Sequence, residues 1–272
     1  WKEARSILTS ILNKEPENGE VYKTLIIYTS AANKWSRLPN ILMKLNGEDK
    51  VRSTRFLLAA EAGKQFIIDM NWQDEEEGNA FGRFVSKLKN RTKQINLFGV
   101  IIELYEMAIK LDKNNLSAVS HFARFYEHFE LVEDSIKILQ KALKKLWDDR
   151  LAYQLGMNYL YVEDYSAALP LFERLVNSDP EDTHLRYLAA VIHCEMGETS
   201  LAEQMMLRII ENNPHERSVH LRLGSLYNEL GRNLEAKDVL EKGKDYHPYD
   251  SDITDELERT YRHLENSMVL SN

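Results

Sequence analysis

The sequence predicts an all-α protein built from repeated pairs of helices, and three observations carry that prediction. Pro180, Pro214 and Pro248 lie 34 residues apart, as do Ala168, Ala202 and Ala236, and Gly197 and Gly231 keep the same step. One period shared by independent columns marks stacked supersecondary units. Within each period the apolar residues fall at helical spacing in two blocks. Only 11 Gly and 6 Pro occur among 272 residues, so few points interrupt a helix.

Taken in chain order, residues 1–50 open with "WKEARSILTSILNKEPEN". This stretch reads as the second helix of a pair, with Ala4, Leu8, Ile11 and Pro16 in register with the later columns. Its first helix is missing, so the natural chain is expected to extend N-terminally. Trp1, with neither the basic start nor the apolar core of a secretory signal, fits a mature protein or an excised fragment. A further unit is expected over 19–50, around Tyr22, Leu25, Leu38 and Leu42. Residues 51–115 carry the weakest pattern: irregular helical repeats, an exposed acidic loop at 71–79 ("NWQDEEEGN") and a basic helix end at 87–93 ("KLKNRTK"). Both charged stretches read as solvated surface. "IIELYEMAIKLDKNN" (101–115) reads as a second helix.

Residues 116–250 hold four units. The first, 116–148, carries Phe122, Ala123 and Tyr126, then Ser135, Leu139 and Ala142; it is one residue short, and Trp147 stands in place of the proline. In 149–182 Leu155, Gly156 and Tyr159 precede Ala168, Phe172 and Leu175. Pro180 then ends the pair, because it cannot continue a helix and disfavours helical geometry just before it. The units 183–216 and 217–250 repeat this, with Ala190 or Gly224 in the small position and Ala202 or Ala236 in the second helix. Small residues recur where helices must approach, and large ones fill the space between them. Residues 251–272 read as a cap helix and tail, since Glu258 stands where the repeats have Gly or Ala.

"YQLGMNYLYVEDYSAALPLFERLVNSDPED" (153–182) and "VHLRLGSLYNELGRNLEAKDVLEKGKDYHPYD" (219–250) carry the small, aromatic, Ala and Pro columns almost throughout. On these columns the chain resembles the tetratricopeptide repeat superfamily, most clearly over 116–250. The resemblance implies a right-handed α-solenoid of antiparallel helix pairs, about seven repeats plus the cap helix. It also implies a concave groove lined mainly by first helices.

The segment His215-Glu216-Arg217-Ser218-Val219-His220 approaches a zinc-protease pattern. A zinc helix needs histidines at i and i+4 so that both imidazoles face one ion. Here the spacing is five, and the first histidine belongs to an inter-repeat turn, so the segment reads as a structural seam. His193 falls in a packing column that is usually aromatic and reads as a core histidine. His121 and His128 stand two helical turns apart, about 10 Å, too far for shared chelation. No phosphate loop, nucleophile elbow or Cys-x-x-Cys pair occurs. A non-catalytic chain without cofactor or metal is expected.

A net charge of −8 argues against a nucleic-acid surface, which needs clustered cations. No apolar run reaches the roughly 18 residues of a membrane span. Cys194 is the one cysteine and has no internal disulfide partner, which leans toward reducing surroundings and leaves a periplasmic home open.

If the family geometry holds, the groove would present Arg124, Tyr153, Gln154, Met157, Tyr187, Leu188, Val191, Leu221, Arg222 and Ser225. Tyr153, Met157, Tyr187, Leu188 and Leu221 are expected as apolar contacts, and Arg124 and Arg222 as charge anchors. Aromatics and Arg carry much of the energy at interfaces, so the expected partner is a peptide or helix with an apolar stripe and some acidic residues. The members that grip a C-terminal carboxylate use Lys and Asn on one helix, Asn on the next, then Lys and Arg. The corresponding positions here are Tyr153, Met157, Leu188, Ser218 and Arg222, or, one unit earlier, Ser120, Arg124, Gln154, His184 and Leu188. Only Arg222 agrees, so that mode is not expected. Two rival readings stand beside the interaction scaffold: a structural subunit of a larger assembly with a self-filled groove, and the repeat portion of a longer enzyme.

Overall fold

The computed structural model describes residues 1–32, 34–72 and 95–270. Over these it is all-α, with fourteen α-helices in sequential antiparallel pairs and one 3₁₀ turn, Trp35–Arg37. The chain divides into two compact units, residues 1–151 and 152–272.

The first unit contains α1 (Lys2–Lys14), α2 (Gly19–Ala31), α3 (Leu38–Met43), α4 (Asp49–Trp72), α5 (Ile95–Leu111), α6 (Leu116–His128) and α7 (Val132–Leu143). Tyr22, Leu25, Leu38 and Leu42 are fully buried in its core. The second half of 19–50 is not a full helix, however. Pro39 sits in the first turn of α3, where its missing N–H costs nothing, and that helix lasts only six residues. α4 then runs for 24 residues, because nothing in 49–72 breaks it. Asn71 and Trp72, the first two residues of the acidic loop expected at 71–79, belong to α4. Residues 73–79 and the basic stretch 87–93 lie outside the described residues.

α4 lies against α5 through Gly63, where a Cβ would come within 2.9 Å of Ile101 Cγ1. Arg55 crosses the core of this unit, only 2% exposed. Its guanidinium donates to the Leu12 carbonyl at 3.1 Å and to the Asn46 carbonyl. A buried cation is tolerable there because backbone carbonyls replace its water. Around α5 and α6 the core is aromatic: Tyr105 stacks on Phe122 at 5.0 Å, and Phe125 meets Phe98 and Phe129 at 4.8 Å each.

The unit boundary falls within α8 (Asp149–Tyr161). The second unit continues with α9 (Tyr165–Ser178), α10 (Thr183–Glu195), α11 (Thr199–Asn212), α12 (Arg217–Glu229), α13 (Asn233–Tyr246) and α14 (Ser251–Leu270). Ala168, Ala202 and Ala236 are fully buried. A Cβ on Gly156 would lie 2.7 Å from the Phe172 ring, and one on Gly224 2.5 Å from Leu240 Cγ. The small column is therefore a steric requirement of helix approach.

The turn inside each hairpin is also repeated. Glu130, Glu163, Gly197 and Gly231 all have positive φ, at 56°, 58°, 82° and 72°. In each case the next residue's N–H returns to a carbonyl five positions back: Leu131 to Tyr126, Asp164 to Tyr159, Glu198 to His193 and Arg232 to Tyr227. This is a left-handed C-terminal cap that satisfies helix-end carbonyls. The step between the first two turn residues is 33, one short, matching the shorter unit 116–148. Asp164 and Asp182 then start α9 and α10 by accepting backbone N–H groups. At the end, α14 is tied down by Asn228, whose Nδ2 donates to Glu256 at 2.8 Å and Thr260 at 2.9 Å.

Candidate functional site

Nine of the ten expected groove residues lie on α8, α10 and α12, which are first helices of their pairs. In the second unit these helices are cross-linked through the expected surface. Tyr153 Oη on α8 lies 3.1 Å from His184 Nε2 on α10, and its ring stands edge-on to Phe172 at 6.0 Å. Arg222 on α12 reaches Glu195 at the end of α10 at 2.8 Å and Glu229 on its own helix at 3.3 Å.

Between these links the wall is apolar. Tyr187, Val191 and Cys194 are half-buried and pack on Ala190, Met206 and Leu223. Burial pushes the Tyr187 hydroxyl above the usual tyrosine range, against the pull of Arg222. Burial likewise raises the Cys194 thiol, so it is no activated nucleophile. On α8, Met157 is 38% exposed and Tyr161, four residues on, 70%. Large side chains at i and i+4 share one helix face. Gln154 and Ser225 are half-buried in the same wall.

Three of the expected residues are engaged within the chain itself. Leu188 is 9% exposed and belongs to the core. It sits three residues from Leu185 and four from Ile192, on the buried stripe of α10. Leu221 packs toward Leu240, Ile253 and Leu257, so the protein's own C-terminal helix takes up part of its surface. Arg222 is already matched by two carboxylates: burial would lower its guanidinium, but Cys194, Glu229 and Glu195 hold it above the ordinary value. Arg124 is exposed on α6 and belongs to the first unit, whereas the other nine belong to the second.

Glu195 and Glu229 were absent from the sequence-based site. Glu229 was legible, seven residues from Arg222 on one helix face; Glu195 was not, because it arrives from another helix. A second unforeseen cluster lies in the first unit. Tyr105 donates its hydroxyl to Glu61, and His121 Nδ1 lies 3.2 Å from the same carboxylate. Burial raises that carboxyl, but the bonds from His121 and Tyr105, with Lys64 nearby, bring it below the usual range.

The two histidines of the zinc-like segment serve separate partners. His215 stands edge-on to Tyr246 at 4.4 Å. His220 is buried, with its ring nitrogens 2.8 Å from the Pro214 carbonyl and 3.1 Å from that of Val239. His193 is also buried and meets Glu198 at 2.6 Å. Among the described residues, no group of three or more His, Cys, Asp and Glu is placed to hold a metal ion. No described helix is long and apolar enough to cross a membrane.

Two tetratricopeptide repeat family models match the sequence, over residues 159–221 and 218–248. Residues 159–248 carry tetratricopeptide repeats. The helices α9 to α13, their left-handed caps and the small residues Ala190 and Gly224 are the physical content of that assignment. The tetratricopeptide fold is shared with solved structures. The crystal structure of YrrB, "a TPR protein with an unusual peptide-binding site", is 22% identical. That match covers 72% of this chain and 97% of YrrB, with a TM-score of 0.51. MamA, residues 41 to the end, from Desulfovibrio magneticus RS-1, is 16% identical over 63% of this chain and 96% of that one, also with a TM-score of 0.51. No curated protein matches the sequence.

Proposed function

We propose that the chain is a non-catalytic protein-interaction scaffold that takes a partner peptide or helix on the tetratricopeptide surface of α8, α10 and α12. The observation that carries this is the pair Met157 and Tyr161, left exposed at 38% and 70% beside the Tyr153–His184 link. Large apolar side chains clustered at one surface are the usual anchors of an interface. The fold shared with YrrB is one on which a peptide-binding site has been built, which supports the reading without assigning a ligand.

The partner segment would bring an apolar stripe for Met157, Tyr161, Tyr187 and Val191. Its acidic residues would meet His184 more readily than Arg222, which Glu195 and Glu229 already occupy. Desolvating that satisfied triad would forfeit bonds as well as make them.

The test is affinity capture with mass spectrometry, comparing the chain with a Met157→Ala, Tyr161→Ala, Tyr187→Ala variant whose thermal melt is unchanged. Loss of specific partners supports the reading. Retention of the same partners overturns it. A rival reading, a structural subunit with permanent contacts elsewhere, is favoured by Leu234 and Tyr249, exposed at 67% and 99% outside this surface. Partners retained by the first variant and lost on Leu234→Ser, Tyr249→Ser would establish that reading instead.

A further inference from the structure

The first unit contains an open cleft of about 950 Å³ lined by α5, α6, α7 and the turns that follow α5 and α7. Its floor is apolar: Ile109 from α5, Val119, Phe122 and Tyr126 from α6, and Ile138 from α7. Residues 119, 122 and 126 recur at helical spacing on one side of α6. Arg124, the α6 residue expected in the tetratricopeptide groove, falls on the other side at 100° per residue. The cleft is therefore a different surface from the one proposed above, built from residues of the first unit alone.

The border of the cleft is cationic, although the chain as a whole carries −8. Five lysines line it, Lys110, Lys113, Lys137, Lys141 and Lys145, against two carboxylates, Glu106 and Asp134. Lys137 pairs with Asp134 at 2.9 Å. Among the described residues the other four lysines have no carboxylate within 4 Å. All five are exposed at the surface. Lys137, Lys141 and Lys145 follow one another along one border, and Lys110 and Lys113 stand at the C-terminal end of α5 on the other. The α7 stripe from Asp134 to Ala142 alone is about 12 Å long, and Lys145 extends it.

We infer that this cleft is a docking site for an acidic amphipathic helix, whose apolar residues at i, i+3 or i+4 and i+7 would seat on the floor while flanking Glu or Asp meet the lysines. An anionic lipid or fatty acid would also welcome an apolar floor. Its single headgroup would engage the lysines of one border at a time, however, and leave those of the other without a partner. A helix with carboxylates along its length satisfies both borders at once. Exposed lysines add modest energy each but select partners by charge and speed encounter.

The probe is a fluorescein-labelled synthetic peptide of about three helical turns, with Leu on one face and Glu on the flanks. Binding is read by fluorescence anisotropy at two salt concentrations on the full chain. Lys110→Glu, Lys141→Glu, Lys145→Glu should weaken the peptide by about tenfold or more, with an unchanged helical melt. A peptide with its Leu replaced by Ser should lose binding as well. The Met157→Ala, Tyr161→Ala, Tyr187→Ala variant should bind the probe like the parent chain, which separates this inference from the proposed function. Absence of peptide binding overturns it, as does equal binding by the charge-reversed variant or by the Leu-free peptide. Oleate displacing a bound hydrophobic dye while the peptide does not would assign the cleft to lipid instead, and would overturn it too.

Discussion

The two units solve the same packing problem with different chemistry. In the second unit one solution is copied: a small residue on each first helix, a buried alanine on each second helix and a left-handed cap between them. Among the described residues of the first unit only the α6–α7 turn keeps that cap, at Glu130, and the other junctions are individual. Gly63 fits against Ile101, the Arg55 guanidinium bridges backbone carbonyls, and an aromatic cluster joins α5 to α6. Copied interfaces spread stability over nearest neighbours, as in other solenoids. An aromatic cluster concentrates it. The difference teaches that helix hairpins can be stacked by repetition or by one dense core, and that the two respond differently to damage.

The sharpest way to break the comparison is at Phe125, fully buried and in contact with Phe98, Tyr105, Tyr126 and Phe129. Phe125→Ala should cost about 3–5 kcal/mol in chemical denaturation, the range for truncating a core aromatic. The lesion should be felt across α5, α6 and α7. A loss below about 1 kcal/mol would mean that the cluster is not the keystone of the first unit.

A smaller effect is expected at Gly224 in the copied region. A Cβ there would meet Leu240 Cγ at 2.5 Å, so one of the helices must shift. Gly224→Ala should cost about 1–3 kcal/mol by overpacking, despite the better helix propensity of alanine. The loss should stay in α12 and α13, which hydrogen exchange would resolve from the first unit. If Gly224→Ala were stabilising, propensity rather than contact would explain the glycine.

This contrast also explains what could be read from the residues alone. The columns at 168, 202 and 236 and at 180, 214 and 248 were visible because one steric demand recurs every 34 residues, so sequence repeats wherever geometry does. The seam at His215 and His220 was legible for the same reason. In 51–115 nothing recurs, so α4 could not be bounded. The candidate surface was legible only in part. Helical periodicity places Tyr153, Met157 and Tyr187 on first helices, but it does not say that Glu195 will cross from α10 to neutralise Arg222. The lysine-bordered cleft was invisible because Lys110 and Lys141 come from separate helices, and each looks like an ordinary solvated residue until the fold pairs them.

The turns offer a subtler test. Glu130 and Glu163 hold φ values near 57° that Gly197 and Gly231 hold in the later hairpins. A left-handed conformation strains an L-residue by about 1–2 kcal/mol, while glycine adds about 0.4–1 kcal/mol of unfolded-state entropy. The strain is the larger of the two. Glu163→Gly should therefore stabilise by about 0.5 kcal/mol, and Gly197→Ala should destabilise by about 1 kcal/mol. Paired thermal melts check both signs. Opposite signs would show that the side chain of Glu163 contributes more than its backbone costs.

The smallest effect is expected at the C-terminal junction, where Arg217 is bonded to Asp250 and Asp252. Arg217 and a backbone N–H from Ile253 hold the Asp250 carboxyl below its ordinary 3.8, at about 2. A carboxylate with a depressed folded value binds its proton later in the folded chain than in the unfolded one. Its contribution is therefore complete above about pH 4 and is lost as pH falls from there through about 2. Asp250→Asn separates the charge from the cap, because an Asn oxygen can still accept the Ile253 N–H that starts α14. The variant should melt slightly earlier than the parent at neutral pH and converge with it in strong acid. Parallel curves across the whole range would mean that Asp250 acts only as a helix cap and that Arg217 contributes nothing through charge.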